Sequence, residues 1–298
     1  LREALGREHN IPSENIVITN GASEALDLTL SAILDVGDKV LLTKPYYYSY
    51  PHIVKINRGQ TVYTDLVKGK IELEDFKEKI KGCKAVIVNS PGNPTGTVQD
   101  PDLLKDVGEV CNDERVYLIF DEVYSNIIYE GSHYTPRGDY VVNVNSFSKT
   151  FSMCGLRIGY LYSDNLELVD KIVKYKVYKS MNTSILSQEM AYEALKAPKS
   201  YISEQLETWR ERRNLIYEGL KEMGLELWKP EGAFYVFPLV ENPRKMVSTL
   251  FEKYKVIAYL GEWFGDGRRI RLSYALNREK IVEGLGRIKR YLRAEEKR

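Results

Sequence analysis

Val141-Val142-Asn143-Val144-Asn145-Ser146-Phe147-Ser148-Lys149-Thr150-Phe151 is the stretch whose reading decides the architecture. A short valine-rich run, Val141–Val144, stops abruptly in a polar cluster with a lysine between two serines. Four other runs have the same character: Ile16–Thr19, Val40–Leu42, Ala85–Val88 and Val116–Phe120. They are rich in Val and Ile and mostly lack a polar alternate face, as strands buried on both sides of a parallel sheet do. Amphipathic segments lie between them; in one, Leu26, Leu30, Ile33 and Leu34 recur at helical spacing. This alternation predicts an α/β fold with a mostly parallel central sheet, right-handed crossovers and helices on both faces.

The pattern changes after about residue 185. A long charged helical stretch runs from Ser187 towards Met223, followed by Lys229-Pro230-Glu231-Gly232, an apolar run Phe234–Val240, a late strand Arg269–Tyr274 and a basic closing helix. Residues 1–186 therefore read as a large ligand-binding domain, and 187–298 as a long connecting helix with a smaller α+β domain. Leu1-Arg2-Glu3-Ala4-Leu5 reads as the middle of a helix, so an N-terminal portion is expected to precede it.

Composition narrows the class. Lys plus Arg number 43 and Asp plus Glu 42, a balance that gives no reason to expect nucleic acid or an anionic membrane as partner. No run approaches the roughly 20 apolar residues that span a bilayer. Cys83, Cys111 and Cys154 are too scattered for a disulfide framework, which points to a reducing, cytoplasmic setting. His9, His52 and His133 lie at no metal-ligand spacing, so no metal is expected.

Ligands of open α/β sheets bind beyond the carboxyl ends of the strands, and four of these runs end in a polar or glycine-bearing cluster. After Ile16–Thr19 comes Asn20-Gly21-Ala22-Ser23, small residues before a helix, in outline a phosphate cradle. It matches no P-loop or dinucleotide fingerprint, and an ordinary helix cap at Ser23 is the plainer alternative. After Ala85–Val88, the prolines and glycines of Asn89-Ser90-Pro91-Gly92-Asn93-Pro94-Thr95-Gly96 fix a rigid turn that can hold the Asn93 amide in one orientation, a plain loop being the alternative. After Val116–Phe120 comes Asp121-Glu122-Val123-Tyr124. A carboxylate at the tip of an apolar strand is poorly solvated and needs a cationic partner. A protonated pyridine nitrogen is one, unless Asp121 merely caps a helix. In the fourth cluster Lys149 is a Schiff-base candidate, because desolvation leaves an amine nucleophilic. Arg157, in Gly155-Leu156-Arg157, offers a bidentate fork for phosphate. Further on, strand alternation puts Arg269 and Arg271 on one face, where an arginine can clamp a carboxylate. Taken singly, Lys149 and Arg271 read more plainly as surface charges.

Together these segments resemble the class I/II aminotransferases, fold type I enzymes that use pyridoxal 5'-phosphate (PLP). The resemblance rests on Thr19-Asn20-Gly21-Ala22-Ser23-Glu24-Ala25-Leu26, Asn89 to Gly96, Asp121 to Tyr124, Ser146 to Phe151, Gly155-Leu156-Arg157-Ile158-Gly159 and Arg271-Leu272-Ser273-Tyr274, in the family's order. It implies that Lys149 holds PLP as a Schiff base and later shuttles the proton, with Asp121 on the pyridine nitrogen and Tyr124 and Asn93 on the ring oxygen. Gly21, Ala22, Ser23, Ser146, Ser148 and Arg157 would hold the phosphate, and Tyr47 would stack on the ring. Arg271, helped by Asn93, would bind the substrate α-carboxylate. The implied reaction moves an amino group from an L-amino acid to a 2-oxo acid such as 2-oxoglutarate, in a homodimer.

Two departures from the resemblance stand out. The family's N-terminal arm, with a tyrosine that reaches the partner subunit's phosphate, is not in this sequence, and Leu260-Gly261-Glu262-Trp263-Phe264-Gly265 stands where many relatives have Pro-Gly-Ser-x-Phe-Gly. The same motifs also serve PLP-dependent C–S or β-lyases and the effector domains of PLP-binding regulators.

Overall fold

The computed structural model describes residues 1–296. Seven strands form the central sheet: β1 (Ile16–Thr19), β2 (Lys39–Lys44), β3 (Gln60–Asp65), β4 (Ala85–Asn89), β5 (Tyr117–Asp121), β6 (Val141–Ser146) and β7 (Gly159–Tyr162), in the order β1-β7-β6-β5-β4-β2-β3. Neighbours from β6 to β3 run parallel, and β7 is antiparallel to both β6 and β1. β1 and β6 therefore point the same way, and β1, β2, β4, β5 and β6 all end at one edge.

The near-continuous apolar character of these strands follows from a double core. Leu42, Ile87, Ile119, Val142 and Val144 pack with the helix Ala22–Ile33 and with Leu168, Val169 and Ile172 of the helix Leu166–Lys179. Their sequence neighbours Leu41, Val86, Val88, Leu118, Phe120 and Val141 pack against Phe76, Leu104 and Val107 of the helices Leu73–Lys79 and Pro101–Asp113 on the other face. Alternation along each strand thus sorts residues between two buried faces rather than between core and water. Asp100 accepts from Asp102 N–H (2.9 Å) and Asn165 from Leu168 N–H (3.0 Å), capping two of the helices.

A second sheet is antiparallel: β8 (Tyr235–Val236), β9 (Tyr259–Leu260) and β10 (Ile270–Ser273), in the order β8-β10-β9. Its core joins Met246, Leu250, Ile270, Tyr274, Ile281 and Leu285 to Val123, Tyr124, Ile127 and Tyr129, the segment that follows β5. The division at 186/187 is retained as a proposal; residues 297 and 298 lie outside the described residues.

Several expectations are corrected. The helical stretch from Ser187 to Met223 is two helices, Ile185–Leu195 and Lys199–Glu222, because Pro198 takes an extended conformation and caps the second. The run Phe234–Val240 has only Tyr235–Val236 as strand. β3 gives no apolar run because it is an edge strand with exposed positions, and β7 hides in an aromatic Gly-Tyr-Leu-Tyr. No helix among the described residues is long and apolar enough to cross a membrane.

Candidate active site

The strand ends open on a cavity of about 330 Å³, within the range of small-molecule sites. Ala22, Ser23, Tyr47, Asn93, Asp121, Tyr124, Ser146, Ser148, Lys149, Arg157 and Arg271 all line it. Of the residues given a cofactor or substrate role in the sequence, only Gly21 is not on the wall; it sits directly behind Arg157, where an added Cβ would meet Nη2 at 2.5 Å. With φ at +80° as well, that position requires glycine.

Part of the cavity wall has the makings of an anion cradle. The helix cap is Gly21, not Ser23, and it brings no side-chain hydrogen bond. The helix's first internal bond is Ala25 N–H to Gly21 O (3.4 Å), so the N–H groups of Ala22, Ser23 and Glu24 have no helical partner. Ser146 accepts from Ser148 N–H at 3.1 Å, and the two hydroxyl oxygens lie 2.9 Å apart. Arg157, with φ +51°, donates from Nη1 to Cys154 O (3.0 Å) and leaves the rest of its fork free to meet an anion. Glu24 fixes the turn from below: it accepts from Asn20 N–H (2.6 Å) and Asn20 Nδ2 (3.0 Å), and from the buried Lys176 Nζ (3.0 Å).

The cavity wall also carries a buried acid and an amine. Asp121 accepts from Tyr50 O–H at 2.6 Å and, more weakly, from Val123 N–H at 3.3 Å; among the described residues no cation is bonded to it. Burial pushes its carboxyl up; Tyr50, Val123 and the charge of Lys149 offset this only in part, while Glu122 adds to it, and it titrates at about 6. It is therefore not a simple helix cap. Lys149 is half-buried, its Nζ 5.7 Å from the Tyr124 ring centroid and 5.6 Å from that of Phe234. Tyr124 O lies 2.9 Å from Tyr235 O, and burial, then the Tyr235 phenol, drives its own phenol well above the usual range. Tyr47 packs edge-on to Tyr50 at 5.5 Å.

Arg271 is only 8% exposed, which sets aside the plainer reading of it as a surface charge. Its guanidinium lies 4.7, 4.5 and 4.7 Å from the rings of Tyr235, Tyr259 and Phe264, Nη1 donates to Asn93 Oδ1 at 3.0 Å, and the buried Nε has no partner among the described residues. A buried fork with an idle donor accepts a carboxylate bidentately. Asn93 is in turn fixed by its N–H to Asn89 Oδ1 (2.8 Å). Arg269, also buried, is held elsewhere, 4.1 Å over Trp228 and bonded to Phe237 O (2.9 Å).

These groups fit PLP on their own chemistry: free N–H groups, two hydroxyls and a guanidinium for a phosphate, an unpaired buried carboxylate for a ring N–H⁺, and an amine between them. Sequence reasoning missed Tyr50 and Tyr235. Tyr50 lies in the tyrosine run from which Tyr47 was chosen, and Tyr235 is a polar tip inside an apolar strand; the signals were there, but aromatic residues read first as core.

The family described as "Aminotransferase class I and II" matches residues 1–288. A probable aspartate/prephenate aminotransferase of Aquifex aeolicus is 37% identical over 98% of this chain and 81% of its own length. The solved aspartate aminotransferase of Thermus thermophilus superposes with a TM-score of 0.93 at 31% identity, covering 97% of this chain and 85% of that one. The aromatic aminotransferase of Pyrococcus horikoshii superposes with a TM-score of 0.94 at 29% identity, covering 99% of this chain and 85% of that one. This protein belongs to the class I and II aminotransferases and is a pyridoxal-phosphate-dependent transaminase.

Proposed function

We propose that the chain moves the amino group of an L-amino acid to 2-oxoglutarate, with Lys149 as the amine that carries PLP as a Schiff base. The observation that carries this reading is the gathering of Lys149 and Asp121 in one cavity with an anion cradle and the buried fork of Arg271. Bound there, PLP supplies an aldehyde that condenses with amines and a ring that draws off the electron pair left at the substrate α-carbon. The chain's own residues do the rest. The helix end at Ala22–Ser23, Ser146, Ser148 and Arg157 would hold the phosphate; Asp121 would keep the ring nitrogen protonated; Tyr124 and Asn93 would bond the ring oxygen; Tyr47 would cover the ring face. Arg271 and Asn93 grip the α-carboxylate and so orient the α-C–H. Lys149 Nζ would hold the cofactor and, when free of it, would serve as the base that carries the substrate α-proton.

The relatives' names make aspartate the first donor to test and an aromatic amino acid the second. The relatives do not favour the lyase and regulator readings. Borohydride reduction of the purified protein followed by peptide mapping should place a pyridoxyl group on Lys149, and incubation with amino acid plus 2-oxoglutarate should yield glutamate. An adduct on another lysine overturns the site; pyruvate and ammonia released without acceptor overturn the reaction. We further propose a homodimer, which a monomeric mass by light scattering in the active protein would refute, and a cytoplasmic location, in keeping with three unpaired cysteines and testable by cell fractionation.

A further inference from the structure

We propose that Tyr50 is a positioning residue for the cofactor: its hydroxyl holds the Asp121 carboxylate while its ring braces Tyr47, so that one side chain sets both the in-plane and the face-on contact. This rests on the reading of Asp121 and Tyr47 as cofactor contacts. Tyr50 is 2% exposed, and its O–H donates to Asp121 Oδ2 at 2.6 Å, the shortest bond that carboxylate makes among the described residues. The other oxygen carries only the longer Val123 N–H contact at 3.3 Å, which leaves it available to an incoming cation. Tyr50 is itself immobile. It heads the helix Ser49–Ile56, its N–H donates to Tyr47 O (3.0 Å), and its ring meets that of Tyr47 edge-on at 5.5 Å. The strand end beneath is pinned separately, by Asn89 Nδ2 donating to Asp121 O at 2.8 Å. A carboxylate free to rotate presents its charge in many directions; one tethered at Oδ2 presents it in one.

The groups that face Asp121 are Tyr50, Tyr47, Tyr124, Lys149 and Glu122. Of these, Tyr50 alone bonds it through a side chain. Burial, then the Asp121 charge, raises the Tyr50 phenol well above its usual value, so it remains a donor throughout the working pH range.

The test is a double-mutant cycle of Tyr50→Phe and Asp121→Asn, read first on cofactor-free protein. Tyr50→Phe keeps the ring and removes only the donor. PLP titration should show its Kd rising about tenfold, the loss expected for one hydrogen bond to a charged group. The ¹³C resonance of the Asp121 carboxyl should titrate about one pH unit higher. In the Asp121→Asn background, adding Tyr50→Phe should change the Kd less than about twofold, because the partner is gone. An unmoved Asp121 titration, or the same tenfold loss in the Asp121→Asn background, overturns the proposal and leaves Tyr50 a packing residue. If Asp121→Asn alone leaves PLP affinity unchanged, the reading of Asp121 falls first and the proposal with it. The unmutated protein gives an independent check: the Tyr50 Cζ resonance must titrate together with the Asp121 carboxyl, and independent titration refutes the coupling.

Discussion

Asp121 and Glu122 are adjacent, both carboxylates, both buried to within 5% exposure, and they do opposite things. Asp121 turns into the cavity with one short hydrogen bond, and burial carries its carboxyl up to about 6. Glu122 turns away, into a saturated network: His133 Nε2 at 2.6 Å, Tyr162 O–H at 2.6 Å and Thr135 O–H at 2.9 Å. Burial also pushes Glu122 up, but His133, by hydrogen bond and charge, then Tyr162 and His9, more than offset it and hold the carboxyl below its usual value. Strand alternation puts one side chain on each side, and the neighbours decide the rest. A buried charge met by three converging donors is a structural joint; a buried charge left short of donors is a site awaiting a cation.

The contrast can be broken or sharpened by experiment. The largest effect belongs to the amine that Asp121 serves: Lys149→Ala should lower transamination by at least about 10³-fold and abolish borohydride labelling, whereas substantial residual turnover would remove Lys149 from the chemistry. Asp121→Asn should lower kcat about 10²-fold or more. Yet it should stabilise the cofactor-free protein against urea at pH 7, by up to roughly 3 kcal/mol, since the folded state no longer has to bury that charge. Loss of stability in this variant would mean that Asp121 is a structural joint after all. Glu122→Gln should do the reverse. Activity should stay within about threefold, while stability falls by roughly 1–3 kcal/mol because three converging donors then face an amide. A large loss of kcat with stability intact would move Glu122 into the site.

The smallest effect is in pH. A raised acid pKa means that the folded chain prefers Asp121 protonated. Its cost to the cofactor-free fold is absent below about pH 4, grows between pH 4 and 6, and is complete above that. Glu122 behaves oppositely, stabilising above its usual carboxyl range and losing that contribution as pH falls through its lowered value. PLP needs the ionised Asp121, so its affinity should weaken below pH 6 by up to about tenfold per pH unit. The same titration on Asp121→Asn should be flat there; an identical slope would assign the pH dependence to another group.

Much of this was legible in the chain itself. Runs such as Ala85–Val88 and Val141–Val144, each ending in a polar cluster, announce a parallel sheet with a ligand edge, because burial on both faces leaves no polar alternate. The order of motifs announces the family. β3 was not legible, because an edge strand such as Gln60–Asp65 keeps polar positions, nor was β7, whose burial comes only from its antiparallel place between β1 and β6. Pro198 is visible in the chain, but the break in the long helix shows only in the structure, where that residue is extended and caps the second helix.

Sequence alone thus determined the identity of the chemical groups and the edge of the sheet they share, since hydrophobic period and strand ends are local properties of a chain. Only the tertiary structure decided how charged each group is and what it faces. Arg271 reads as a surface charge until Tyr235, Tyr259 and Phe264 close around it, and Asp121 differs from Glu122 only through Tyr50 on one side and His133 on the other. Desolvation and hydrogen bonding are set by neighbours in space, and those neighbours lie tens to hundreds of residues away, up to 178 for Arg271 and Asn93.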